Sequence, residues 1–112
     1  SFLAASPDTV KRFVAASLKG WYFAIDNPER AVKALKTVFP NVNEKLSAQE
    51  LAAIKPLFCS GGARFIGKAE DALWTKSQEL LSEVKLLPVG QDPKSYYTND
   101  FLPATQAMRA CR

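Results

Sequence analysis

Histidine is absent from all 112 residues. Without an imidazole, neither a Ser/His/Asp nor a Cys/His nucleophilic relay can be assembled from this chain, and the commonest zinc ligand is missing. Long apolar runs are absent too, none approaching the ~20 residues that cross a bilayer. There is no leader of charged, then apolar, then small residues, and the chain opens on Ser1 without methionine, which fits a processed chain or an excised piece of a longer one. Cysteine is scarce: only Cys59 and Cys111. In an oxidising compartment they can close a bridge from the tail to the end of a helix; in the cytosol they stand as free thiols. The pair Gly61-Gly62 lacks both the strand-loop-helix frame and the GxxxxGK[ST] spacing of a phosphate loop, and reads as a helix connector.

What is present is an ordinary globular composition, 47% hydrophobic and 23% charged, enough for one unit with a modest core. The net charge of +4 raises the question of a nucleic-acid partner. Its distribution answers no, because Lys11, Arg12, Lys19, Arg30, Lys33, Lys36, Lys55, Lys68 and Lys76 are interleaved with Asp8, Glu29, Glu50, Glu70 and Glu79. A phosphate-binding footprint gathers its cations on one face. The acids Glu70, Asp71, Glu79 and Glu83 lie near lysines at helical spacing, as on a solvated face rather than in an acid/base pair.

The stretch from Ser6 to Phe39 organises the chain. Ser6-Pro7-Asp8 and Asn27-Pro28-Glu29 share one device: a short polar residue able to cap free amides, a proline at the first helical position, and an acid at the positive helix end. Val10, Phe13, Val14, Leu18, Trp21 and Ile25 form the apolar stripe of a helix over 7–26, and Ala31, Val32, Leu35 and Phe39 that of a helix over 28–39. Gly20 costs about 1 kcal/mol there relative to alanine, so close approach of a neighbour beside Trp21 is expected. A third helix spans 44–58, started either by Asn43 or by the capping box from Ser47 to Glu50, with Pro56 bending its last turn. A fourth covers 69–86 and a short one 93–97 after Asp92-Pro93. The lead-in 2–5 reads as the end of a strand or as residues before the cap, and the tail 104–112 as a helical candidate. The expectation is a single mainly α unit.

Trp21, Trp74, Tyr22, Tyr96 and Tyr97 are the side chains suited to stacking on a planar ligand, and Trp21, Trp74 and Tyr96 are the candidates carried forward. Against them stands the usual fate of such residues, burial in a core with the polar tip satisfied. The chain offers no catalytic residue, metal set or cofactor motif.

In order and spacing, Ser6-Pro7-Asp8-Thr9-Val10-Lys11-Arg12-Phe13, Leu18-Lys19-Gly20-Trp21, Asn27-Pro28-Glu29-Arg30-Ala31, Leu57, Ala72-Leu73-Trp74, Leu86-Leu87-Pro88 and Asp92-Pro93 leading to Tyr97-Thr98-Asn99-Asp100-Phe101-Leu102 resemble the C-terminal third of the NMT1/THI5-like, or SsuA-like, periplasmic substrate-binding proteins of ABC importers. The resemblance implies a helical fragment of a two-lobed α/β binding protein (type II), periplasmic or otherwise extracytoplasmic, with its signal peptide outside this chain. It implies no catalysis. The ligand would be a thiamine-pyrimidine precursor, a sulfonate such as taurine, or nitrate, and the partner an ABC permease. Two other readings stand beside it: a fragment of the pyrimidine synthases of the same superfamily, which consume an active-site histidine, and a stand-alone helical interaction module. Helices shaped to cover a sheet would leave Phe13, Leu18, Trp21, Leu35 and Trp74 in need of cover, met by collapse into a bundle or by self-association through exposed apolar faces.

Overall fold

In the computed structural model, which describes residues 1–111, the protein is mainly α. Five helices form, α1 Phe2–Ala5, α2 Pro7–Asp26, α3 Pro28–Val38, α4 Glu44–Ile54 and α5 Asp71–Glu83, with short 3-10 turns at Lys55–Cys59, Pro93–Ser95 and Thr105–Ala107. Among the described residues there is no strand, only an isolated antiparallel bridge between Phe65 and Ala110. The lead-in is therefore a helical turn, and the tail a 3-10 turn followed by extended chain. Arg112 lies outside the described residues.

Prolines at the first position start α2 and α3, with Asp8 and Glu29 in their first turns. The polar residues before them act differently from the expectation. Neither the Ser6 nor the Asn27 side chain caps the helix that follows; the Asn27 amide instead donates to the Phe23 carbonyl at the end of α2. Asn43 does cap α4, its Oδ1 accepting from the Leu46 amide at 3.1 Å, which decides between the two starts. Pro56 converts the end of the third expected helix to 3-10 geometry from Lys55 onward, since its ring lacks the N–H an α-turn needs. Helix α5 is shorter than 69–86 because Lys85, at φ 60°, closes it in a left-handed turn. The Leu86 amide bonds the Leu81 carbonyl and the Lys85 amide that of Ser82, the Schellman pattern in which glycine normally holds the position of Lys85.

Helix α2 packs on α3 across the Asn27 corner, α3 on α4, and α4 on the 3-10 turn that continues it. Helix α5 packs on the turn Pro93–Ser95. The core is small: Leu18, Ile25, Val32 and Ile66 are the buried apolar side chains. Phe13 is 71% exposed, Trp21 43% and Leu35 39%. The radius of gyration, 16.6 Å, exceeds the roughly 13 Å of a compact chain of this length. Accessible surface is 8420 Å², against roughly 6,100 Å² for a globular monomer of the same mass. The helices thus form a layer with one side uncovered, and they do not collapse into a bundle. Nothing approaches within 4 Å of the Cβ position at Gly20, so the expected close neighbour is missing.

Two chain segments join α5 to the α2–α4 layer, and they are stitched to each other. The Ile66 amide donates to the Arg109 carbonyl and the Cys111 amide to the Arg64 carbonyl, both at 2.9 Å. Asn99 bonds both the amide and the carbonyl of Ala69, at 3.0 and 2.9 Å. At the base, Cys59 and Cys111 form a disulfide with Cα atoms 5.4 Å apart, closing a loop of sequence separation 52 that contains all of α5. Gly67, at φ +90°, lays the first segment on α2 so closely that a Cβ there would run into Leu18.

Gly67→Ala is expected to destabilise by about 1–3 kcal/mol through backbone strain and overpacking, whereas Lys85→Gly, relieving a left-handed non-glycine, is expected to stabilise by roughly 0.5–1 kcal/mol. Urea melts followed by circular dichroism give both signs. Replacing both cysteines by serine should cost about 2–4 kcal/mol by freeing the unfolded chain, read in the same melts.

Candidate functional site

Trp21 stands on α2 between two apolar grooves. The first, of about 540 Å³, runs between α2, α3 and α4, with Gly20 and Ala24 facing Val32, Leu35, Leu51 and Ile54. The second, of about 260 Å³, lies between α2 and the loop carrying Ile66 and Gly67. Ser17 and Trp21 line both, so the grooves are continuous. Phe58 packs against the indole of Trp21, ring centroids 5.1 Å apart and planes tilted by 60°.

The other two candidate aromatics are elsewhere. Trp74, on α5, stacks on Tyr97 with centroids 5.0 Å apart and planes within 23°. Tyr96 is 46% exposed and its hydroxyl donates to Gln91 Oε1 at 3.2 Å. Neither lines the grooves of Trp21, so the structure does not bring the three rings together around one ligand.

Around Tyr97 there is a small polar cluster. Its hydroxyl donates to Asp71 Oδ1, and Lys94 Nζ lies 3.3 Å from Asp71 Oδ2. The bond to the carboxylate, aided by desolvation and the Asp71 charge, pushes the Tyr97 hydroxyl up to about 12. The same bond, then that of Lys94, holds Asp71 below the ordinary carboxylate range. A tyrosine stabilised as the neutral phenol is a poor base, and this cluster is a fastening of the C-terminal segment onto α5.

A third hollow, of about 550 Å³, sits at the disulfide end and is lined by Ile25, Lys55, Cys59, Ile66, Arg109 and Ala110. Arg109 is held by Asp26 at 2.8 Å, which lowers the Asp26 pKa through that hydrogen bond and raises that of Arg109. The Tyr22 hydroxyl accepts from the Arg109 amide at 3.1 Å and donates to the Ile66 carbonyl at 3.3 Å. Sequence reasoning grouped Tyr22 with possible stacking rings and missed this bridge, as it missed the Asp26–Arg109 pair and the role of Asn99. The partners lie up to 87 residues apart, and local pattern carries no signal over that separation.

No group of three or more acidic or cysteine side chains among the described residues could hold a metal ion. The polar clusters join segments of the chain, and the apolar grooves are open. Among the described residues no helix is long and apolar enough to cross a membrane.

Residues 1–31 match the family model described as NMT1/THI5 like, which bears out the likeness read from the sequence. The chain is also similar to the riboflavin-binding protein RibY of Chloroflexus aurantiacus, 28% identical over 108 residues. That match covers 92% of this chain and 31% of RibY, so the chain spans under a third of the relative's length. The relative's name is that of a binding protein.

One phenol is expected to ionise near pH 12, seen by absorbance at alkaline pH, and Asp71→Asn to bring it back toward 10. Because the folded pKa is raised, the stability this bond contributes is whole below pH 10 and lost as pH rises through about 12. An alkaline melt of the wild-type chain beside Tyr97→Phe reads that loss.

Proposed function

We propose that this chain is the C-terminal part of a non-catalytic, extracytoplasmic solute-binding protein that delivers a small molecule to an ABC permease, and that the ligand is a planar nitrogen heterocycle of the flavin or aminopyrimidine kind. The observation that carries the reading is the similarity to a riboflavin-binding protein along 92% of the chain. The relative's name favours a heterocycle over the sulfonate and nitrate classes. The disulfide supports an oxidising, extracytoplasmic setting. Against the pyrimidine-synthase alternative, the segment has no histidine to consume.

Binding in such proteins buries the ligand between lobes that close on it, so the test requires the full encoded protein. Riboflavin at about 100 times its Kd should stabilise that protein by about 2.7 kcal/mol, read as a rise in Tm and as quenching of flavin fluorescence. The 112-residue chain by itself is expected to show neither. A rise with taurine or nitrate and none with riboflavin or aminopyrimidines would sink the heterocycle assignment; no rise with any of them would sink the solute-binding reading. The isolated chain, with its apolar faces uncovered, is also expected to pair weakly with itself at high concentration, measured by light scattering on a sizing column.

A further inference from the structure

We infer that the continuous apolar face centred on Trp21, formed by α2, α3 and α4, is the seat of polypeptide that lies outside these 112 residues in the full-length protein. The inference rests on the solute-binding reading and specifies how this piece joins the remainder. Three observations carry it. The two grooves meet at Ser17 and Trp21, and Glu50 is the one charged side chain lining either of them. A face so free of charge is suited to burial and poorly suited to water.

The second observation is area. The chain exposes roughly 2,300 Å² beyond what a globular monomer of its mass shows. A second copy docking at a standard interface covers about 800 Å² per partner, which leaves most of that surplus in water. A layer of the same polypeptide covers an area of this size. The third is length: the match takes in 92% of this chain but 31% of RibY, so a relative of ordinary length has more than twice as much chain again with which to cover the face.

Gly20 marks the floor. A side chain at this position meets nothing within 4 Å in the uncovered layer, and the absence of a Cβ leaves room for an incoming segment beside the indole. On this assignment Trp21 is an anchor for packing between parts of the protein, and it leaves the set of ligand-stacking candidates.

The test uses thiol labelling, since both native cysteines of this chain are bonded to each other. Gly20→Cys is made in the 112-residue chain and in the full encoded protein, with Lys33→Cys as an exposed control, and each is reacted with a maleimide at low protein concentration under non-reducing conditions. The expected result is rapid labelling at both positions in the short chain and a fall of about 100-fold at position 20 alone in the full protein, the slowing that a burial free energy of about 2.7 kcal/mol produces. Should Gly20→Cys fail to fold in the full protein, hydrogen exchange of the unmutated proteins reads the same face: α2 amides near Trp21 must be better protected in the full protein than in the short chain. Equal labelling or equal exchange in the two overturns the inference. So does protection at position 20 of the full protein that appears only as its own concentration rises, which assigns the face to a second copy, and so does an encoded start at Ser1. Protection at position 20 together with no thermal response to riboflavin, aminopyrimidines, taurine or nitrate leaves the docking face standing and removes the solute-binding reading.

Discussion

A layer of amphipathic helices has to bury its apolar side, and this constraint governs everything else in the molecule. Here Leu18, Ile25, Val32 and Ile66 are the apolar side chains that achieve it. At ~25 cal/mol per Å² of apolar surface removed from water, four buried aliphatic residues supply only a few kcal/mol each at most, while ordering the backbone costs about 1–2 kcal/mol for every residue. A core of this size does not hold twenty-residue α2 against α3 and α4 in a rigid monomer on hydrophobic burial alone. Cross-links therefore matter more than in a compact domain of equal length.

Those cross-links have one location. The Cys59–Cys111 disulfide, the Phe65–Ala110 bridge, the Asp26–Arg109 ion pair and the two bonds of the Tyr22 hydroxyl all fasten the C-terminal strand-like segment to the end of α2 and to the loop after α4. The ion pair is partly exposed and contributes modestly. The hydroxyl of Tyr22 satisfies backbone groups of both segments, and it does so in a part-buried setting where an unpaired amide or carbonyl costs about 1–3 kcal/mol. The stitching lies at the disulfide end, and the groove along α2 lined by Gly20 and Trp21 is left open.

Helical period was legible, and so was the corner at Asn27-Pro28, because both depend on neighbours within four residues. The caps were half legible. Asn43 and Asp92 accept from the amides three and two residues on, at 3.1 and 3.0 Å, as their type suggests. Asn27, of the same type, is taken instead by the carbonyl of Phe23, since a residue that ends one helix and starts another can serve either terminus. The end of α5 was not legible: a left-handed closing turn is signalled by glycine, and lysine occupies it. Gly20 was read as a mark of close packing, and that reading fails in the uncovered layer. The aromatic candidates lie apart, since pattern places a ring on a helix face but says nothing of whether two faces meet.

Arg109, Lys36 and Lys94 each meet a carboxylate from a different part of the chain. Ion pairs of this exposure carry little energy, but they fix which loop lies against which helix: Lys36 on α3 meets Glu44 at the start of α4, and Lys94 meets Asp71 at the start of α5. In each case the acid sits in the first turn of a helix, where the N-terminal end of the macrodipole already favours a carboxylate. Glu44 is held below the ordinary carboxylate range by Lys36, and Asp71 by Tyr97 and then Lys94, and each helix start is pinned to a segment that precedes or follows it. Cations paired in this way hold loops against helices and fix the geometry of the layer.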